Sequence, residues 1–198
     1  MIRLALIGCV LAGTGTAPET PNPQRFEATG VEMAVPIRIV LYAPDADSAN
    51  RAAQAALAEF NRLNLVFSDY DARSEARRLC KPAEIDQPTR VSDDLFLVLA
   101  ASEEMYRQSG GAFDVTAGPL TKLWRRTLRR GELPTDARLA EARDRVGFDS
   151  VRLDPARKTV ALGKRSMQLD FGGIAKGYAL DKSLEVLNKH GITRALID

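Results

Sequence analysis

The order of strand and helix signals in this 198-residue chain predicts a mixed α+β fold. Three observations carry that reading. Val151-Arg152-Leu153 and Thr159-Val160-Ala161-Leu162 alternate on either side of a turn-rich stretch at 154–158, which reads as a hairpin. Residues 35–42 are rich in Val and Ile, with Val35, Ile37, Ile39 and Leu41 on one face. Several segments with helical spacing and good caps are mixed in among these strands, without strict strand–helix alternation.

Each element has its own signal. Pro36 sits near the start of the first strand, where proline is tolerated. Asp47 or Ser48 is expected to cap the next helix, in which Ala52, Ala56, Phe60 and Leu63 share a face. Ser92 is a second N-cap, with Asp93 and Asp94 favourably placed at the positive end of the helix dipole. Leu95, Leu99, Ser102 and Tyr106 line that helix, and Gly110-Gly111 ends it. Pro119 opens a helix carrying Leu120, Leu123 and Trp124. Pro134-Thr135 opens another, closed by Gly147. After the hairpin, residues 167–170 read as a strand, 171–173 as a loop and 174–189 as a helix stopped by His190-Gly191. Residues 194–197 begin a further strand. Because the chain reaches Asp198 just as that strand starts, the expectation is a domain whose distal half is missing.

Composition narrows the chemistry. Hydrophobic residues make up 45% and charged residues 27%, with a formal net charge of +2, an ordinary balance that does not suggest a nucleic-acid partner. Arg125-Arg126 and Arg129-Arg130 form a basic run whose simplest reading is a solvated helix face. The only cysteines are Cys9 and Cys80, too few for a disulfide framework or a zinc knuckle. The lone histidine, His190, rules out a two-histidine metal site within the chain and reads as a surface or C-capping residue.

Residues 1–12 carry one cation and an apolar run too short to span a bilayer, followed by a linker of Thr, Pro, Gly and Asn up to about residue 24. This reads as a short export signal. Leu6-Ile7-Gly8-Cys9 also resembles a bacterial lipobox, in which Cys9 would carry a lipid anchor. The expected location is the periplasm, as an inner-membrane lipoprotein or a secreted protein. The alternative is a buried first strand or frayed tail in a cytoplasmic protein. The expected domain plan is residues 1–24 as signal, lipobox and linker, and residues 25–198 as the folded part.

Two segments can carry chemistry. In Leu169-Asp170-Phe171-Gly172-Gly173-Ile174-Ala175-Lys176-Gly177-Tyr178 a carboxylate at a strand end precedes two glycines and a helix start. Glycines allow close backbone approach to a ligand, and the free N–H groups of a helix N-terminus suit phosphate. Lys176 lies in the first turn, where it opposes the helix dipole unless a bound anion compensates. Asp170 offers hard oxygens to a ligand or a magnesium ion. A turn that needs glycine only for packing explains the same residues. The spacing matches neither a Walker A loop nor the Gly-x-Gly-x-x-Gly fingerprint. In the second segment, Gly110 to Leu120, Phe113 can stack on a flat ring and Asp114 can accept from ring or ribose donors. A helix–helix turn with Phe113 in the core is the plainer alternative.

Taken together the segments become specific. Gly111-Ala112-Phe113-Asp114-Val115-Thr116-Ala117-Gly118-Pro119-Leu120, with Leu123-Trp124, resembles the Gly-Ala-Phe-Asp and Gly-Pro-Leu…Leu-Trp signature of the FAD:protein FMN transferase (ApbE) family. The stretch from Leu169 to Ala179 is similar to that family's central signature. Phe67-Ser68-Asp69-Tyr70 with Ser74-Glu75 resembles its Ser-x-Tyr…Ser-Glu segment, and Met33-Ala34-Val35 falls where the family carries Met-Gly-Thr. The likeness runs in order from about Phe26 to the last residue.

The resemblance implies an α+β fold with a mainly antiparallel sheet and packed helices. It implies transfer of FMN from FAD to a threonine of a target flavoprotein, with AMP released and magnesium required. By that resemblance Met33 and Tyr70 contact FAD, Ala112, Phe113 and Asp114 line the flavin site, Asp170 and Lys176 also bind FAD, and the Gly173 carbonyl is a magnesium ligand. No catalytic residue is assigned within the chain. Two departures stand out. Ala34-Val35 lacks the family's glycine and hydroxyl, and the family's distal His-x-x-Asp-Pro segment and Asp/Thr metal group are not in the chain, so little transfer by the chain alone is expected. The alternatives are a non-catalytic FAD-binding carrier and, more weakly, a dinucleotide-dependent oxidoreductase.

Overall fold

A computed structural model describes residues 22–81 and 85–198. The proposed leader and Cys9 lie outside the described residues. The chain opens with a hairpin of β1 (Gln24–Glu32) and β2 (Val35–Ala43), paired antiparallel along their whole length. Sequence reading had no strand over β1. Its residues are largely polar and alternate between exposed and half-buried, as expected for a strand at the edge of a sheet. The loop between the strands has two residues, Met33 and Ala34, with φ of 50° and 62°. Both positive values give the mirror-image hairpin turn whose twist matches the strands.

Helix α1 (Ala46–Phe67) lies over this hairpin. Ala52, Ala56, Phe60 and Leu63 are buried, as the helical spacing predicts. The cap is Asp45 rather than Asp47 or Ser48: its backbone is extended and its carboxylate accepts from the Ser48 N–H at 2.7 Å. Candidate oxygens follow one another here, and backbone conformation decides among them. Short elements follow: α2 (Glu75–Leu79), capped by Ser74, and β3 (Thr89–Arg90). Helix α3 (Asp93–Gln108) starts at Ser92, whose side chain accepts from Leu95 N–H as predicted. Leu95, Leu99 and Ser102 are buried, and Tyr106 is half-buried.

Helix α4 (Gly118–Arg130) begins with Pro119 in its first turn and ends at a left-handed Gly131. Helix α5 (Asp136–Asp144), capped by Thr135, stops at Arg145 rather than Gly147, which instead precedes a 3-10 turn over Phe148–Ser150. The predicted hairpin is present as β4 (Val151–Asp154) and β5 (Thr159–Leu162). Helix α6 (Ala175–Lys189) follows, one residue later than expected, and β6 (Ala195–Ile197) pairs antiparallel with β2.

The two three-stranded sheets run β1-β2-β6 and β3-β5-β4, every named pairing antiparallel, so the fold is α+β as expected. Residues 167–170 are a correction. They are not a strand: a single parallel bridge joins Gln168 to Ala117, and the Asp170 N–H donates to the Val115 carbonyl at 2.7 Å. Met167, Leu169 and Phe171 are nonetheless buried, so the apolar alternation reports burial without a strand partner.

The core gathers the buried face of β2, the Ala-rich face of α1 and the inner faces of α3 and α6. Ser183 on α6 donates to the buried Ala56 carbonyl of α1 at 3.3 Å, and Phe171 meets Phe67 edge-on at 5.5 Å. That packing fixes where the segment after Asp170 emerges.

Candidate functional site

The β1–β2 turn, the end of α1, the middle of α4 and the start of α6 surround a cavity of about 640 Å³. A volume of this size falls within the range of small-molecule and cofactor sites. Met33, Tyr70, Asp170 and Lys176 all line it, together with Asp69, Arg125, Gly172 and Ala175. Four of the eight residues singled out from the sequence thus meet in one place, although they span 143 positions of chain (176 − 33).

Local chemistry explains each placement. After α1 the chain turns on Ser68, whose hydroxyl accepts from the Tyr70 and Asp71 N–H groups at 3.2 and 3.1 Å. This turn leaves Tyr70 73% exposed on the cavity wall. The Ser74-Glu75 pair holds the turn from behind. Buried Ser74 donates to the Ser68 carbonyl at 2.5 Å, and the Glu75 carboxylate accepts from both the N–H and the hydroxyl of Ser92 at 2.6 Å.

At the other wall, one Asp170 oxygen accepts from the Gly172 N–H at 2.9 Å, which shapes the glycine corner. The corner is open: Gly172, Gly173 and Lys176 are exposed while Phe171 turns into the core. Helix α6 has no side-chain cap on Ile174. The N–H groups of Lys176 and Gly177 find no acceptor among the described residues, and the Gly172 and Gly173 carbonyls find no donor. Lys176 joins no ion pair among the described residues. An uncapped helix start beside a free ammonium is a favourable place for an anion.

Sequence reading missed Arg125, taken with its neighbours as part of a solvated face. Its guanidinium donates to Asp69 and, at 3.1 Å, to the second Asp170 oxygen. It also lies 4.6 Å from the centre of the Tyr70 ring. Burial disfavours its charge, but the Asp69 hydrogen bond and the charges of Asp69 and Asp170 outweigh that and hold its pKa above the ordinary arginine value. The available signal was spacing: Arg125 lies seven residues, two helical turns, from Gly118 and so on the same face. Gly118 faces the core so closely that a Cβ there would stand 2.5 Å from the Gln168 carbonyl oxygen.

The remaining predicted residues, Ala112, Phe113, Asp114 and Gly173, are not in the wall of the cavity. Phe113 is half-buried and packs on Gly173, where a Cβ would meet its ring at 3.2 Å. Ala112 is exposed. Asp114 holds its own loop together. One of its oxygens accepts from the Thr116 N–H and hydroxyl at 2.7 Å, the other from the Phe148 N–H at 3.3 Å. Thr116 in turn accepts from the Gly147 N–H at 2.8 Å, which ties the loop before α4 to the base of β4.

For a divalent cation the described residues offer the unpartnered carbonyls of Gly172 and Gly173, with Asp170 nearby, and hold no cluster of three His, Cys, Asp or Glu side chains. Such a donor set fits magnesium only where phosphate and water oxygens complete the shell, the usual way this ion is held.

Residues 33–198 match the ApbE family. The FAD:protein FMN transferase of Chlamydia muridarum is 31% identical over 166 residues, covering 83% of this chain and 52% of that protein. That of Treponema pallidum is 28% identical over 202 residues, covering 99% and 56%. The chain therefore spans about half the length of the curated relatives it matches. The flavin transferase ApbE of Vibrio cholerae superposes with a TM-score of 0.78 at 23% identity, over 89% of this chain and 57% of that one. The apo Pseudomonas stutzeri flavinyl transferase ApbE gives 0.79 at 24%, over 91% and 58%. These two likenesses concern the fold, while the match over residues 33–198 reaches through every wall of the cavity: this chain belongs to the ApbE family.

Proposed function

We propose that the cavity binds FAD and that the chain supplies the FAD-binding part of an enzyme that transfers FMN from FAD to a threonine of a target flavoprotein. The observation that carries this reading is the uncapped, lysine-bearing start of α6 on a cavity also walled by Tyr70, Met33 and the Arg125 clamp. The names of the relatives support it.

In the reaction the threonine hydroxyl oxygen bonds to the FMN phosphorus, the phosphoanhydride bond to AMP breaks, and the hydroxyl proton is released. Such a transfer depends on positioning and charge neutralisation more than on covalent help from the protein. The free N–H groups at the start of α6 and the Lys176 ammonium neutralise the diphosphate. Tyr70 presents a ring face and Met33 a flexible apolar side chain to the rest of the dinucleotide. Arg125 keeps Asp69 and Asp170 in place and fixes the Tyr70 ring. When bound, magnesium would neutralise diphosphate charge and help AMP to leave, with the Gly173 carbonyl as its ligand from this chain. If the segment before residue 24 acts as an export signal with a lipidated Cys9, the reaction takes place at the periplasmic face of the inner membrane.

Titration of the chain with FAD, followed by flavin fluorescence with and without magnesium, tests the reading. Lys176→Ala should weaken binding roughly tenfold, the size of one charge-assisted contact at a partly exposed site. AMP appearing together with flavin covalently attached to a target protein would report the transfer itself. Equal FAD affinity in Lys176→Ala, or displacement of FAD by NAD at equal concentration, would remove the basis of the proposal.

A further inference from the structure

A helix start without a side-chain cap tends to fray, because its first N–H groups lack partners. Ile174 supplies no cap to α6, yet a cap would occupy the N–H groups that an anion needs. Tyr178, at the end of that first turn, is half-buried and does not line the cavity. Its hydroxyl donates to one oxygen of Asp94, near the start of α3, at 2.7 Å. The other Asp94 oxygen accepts from Arg62 of α1 at 2.7 Å, and Arg62 also donates to Glu59 at 2.7 and 2.9 Å. The Asp94 side chain retains only 17% of its exposure, so this charge-assisted bond is largely shielded from water. The Tyr178 ring meets Phe67 edge-on at 5.8 Å, and Phe67 meets Phe171. Both phenylalanines line the cavity.

We propose that Tyr178 takes the place of the missing cap and is a positioning residue for the dinucleotide's diphosphate, an inference that rests on the FAD reading above. It ties the first turn of α6 to α3 and α1, so that the Lys176 ammonium and the free N–H groups are held in place without being used. The tether acts from the far side of the helix. Lys176 and Tyr178 are two residues apart and so point about 200° apart around the axis, one to the cavity and the other to Asp94. A phenylalanine at 178 would fill the same space against Phe67, and only the hydroxyl reaches the carboxylate. A tie that served stability alone would leave FAD affinity untouched wherever the protein is folded.

The test compares the whole chain with its Tyr178→Phe variant, which keeps the ring and leaves Asp94 its Arg62 partner. Ser183→Ala, further along α6, loses a bond to the Ala56 carbonyl and controls for a general loss of stability. By amide hydrogen exchange, the Tyr178 and Ala179 N–H groups should open roughly tenfold more readily in Tyr178→Phe, with no matching change at residues 183–187. FAD should bind roughly three- to tenfold more weakly to Tyr178→Phe, while Ser183→Ala binds it like the parent. Combined with Lys176→Ala, the loss should be smaller than the product of the two single losses, because both act through one turn. Unchanged exchange at 178–179, exchange raised evenly along α6, unchanged FAD affinity in folded Tyr178→Phe, losses that simply multiply, or equal weakening by Ser183→Ala would each overturn the proposal. Failure of the flavin reading looks different: FAD then binds neither the parent nor any variant, while faster exchange confined to the first turn still supports the tether.

Discussion

Replacing Arg125 by alanine should destabilise the protein and, if the cavity binds FAD as proposed, weaken that binding, and the structure sets the size of the first effect. The Arg125 side chain retains 28% of its exposure, Asp69 11% and Asp170 13%. At an effective dielectric near 20, a contact pair at about 4 Å is worth ~4 kcal/mol before desolvation and side-chain entropy are subtracted. Removing the cation also leaves two largely buried carboxylates without their common partner. Breaking a fully buried pair costs about 3–5 kcal/mol and an exposed one less than about 1, so this intermediate case should cost about 2 kcal/mol. For a chain of this length that corresponds to a fall in Tm of roughly 4–8 °C. FAD affinity should fall as well, because Tyr70 loses the cation over its ring and Asp170 loses one of its two anchors. Arg125→Lys should recover less than half of either loss, since one ammonium cannot span Asp69 and Asp170 while covering the ring. Arg126→Ala is the control: one position along and exposed, it should stay within about 0.5 kcal/mol of the parent. Thermal unfolding by circular dichroism together with FAD titration reads all three variants. A Tm for Arg125→Ala within a degree of the parent, or equal losses in Arg125→Ala and Arg126→Ala, would refute the clamp.

Other expectations follow from local geometry. Ala34 holds φ at 62° in the β1–β2 turn, so Ala34→Gly should relieve a left-handed strain that exceeds glycine's greater unfolded-state entropy, raising stability by about 0.5–1 kcal/mol in chemical denaturation. Gly118→Ala should lower stability sharply, because the new methyl would meet the Gln168 carbonyl oxygen at 2.5 Å and force α4 away from its bridge. In acid, burial pushes the Asp94 pKa up, but hydrogen bonds from Arg62 and Tyr178 and nearby positive charge outweigh it, leaving the carboxyl below its ordinary value. A depressed carboxylate stabilises the fold above its unfolded pKa and loses that contribution as pH falls through the folded one. Tm should therefore drop as pH falls below about 4, and Asp94→Asn should flatten that limb while lowering Tm at pH 7.

What could be read from the sequence was local or periodic. The buried face of α1, the cap at Ser92 and the β4–β5 hairpin each depend on neighbours a few residues apart, so their signals are present in the chain itself. The failures share a different dependence. Residues 167–170 alternate like a strand, but becoming one needs a hydrogen-bonded neighbour along the whole segment, and only Gln168 has a bridge. β1 carries mostly polar residues, and β2 gives it the pairing that its own pattern does not announce.

The site divides along the same line. Met33, Tyr70, Asp170 and Lys176 could be singled out because glycine corners, a helix start and family motifs mark their surroundings, and the fold brings all four to one cavity. Arg125 carried no such mark. Arg125 and Arg126 are the same residue type in consecutive positions, and no composition rule separates them. A rotation of about 100° along α4 does. Because Gly118 must press against Gln168, the helix is clocked so that position 125 faces Asp69 and Asp170 while position 126 faces solvent. The clamp is thus set by a contact two turns away, and the Gly118→Ala and Arg125→Ala variants should prove coupled: moving the helix should loosen the same carboxylates that losing the guanidinium frees.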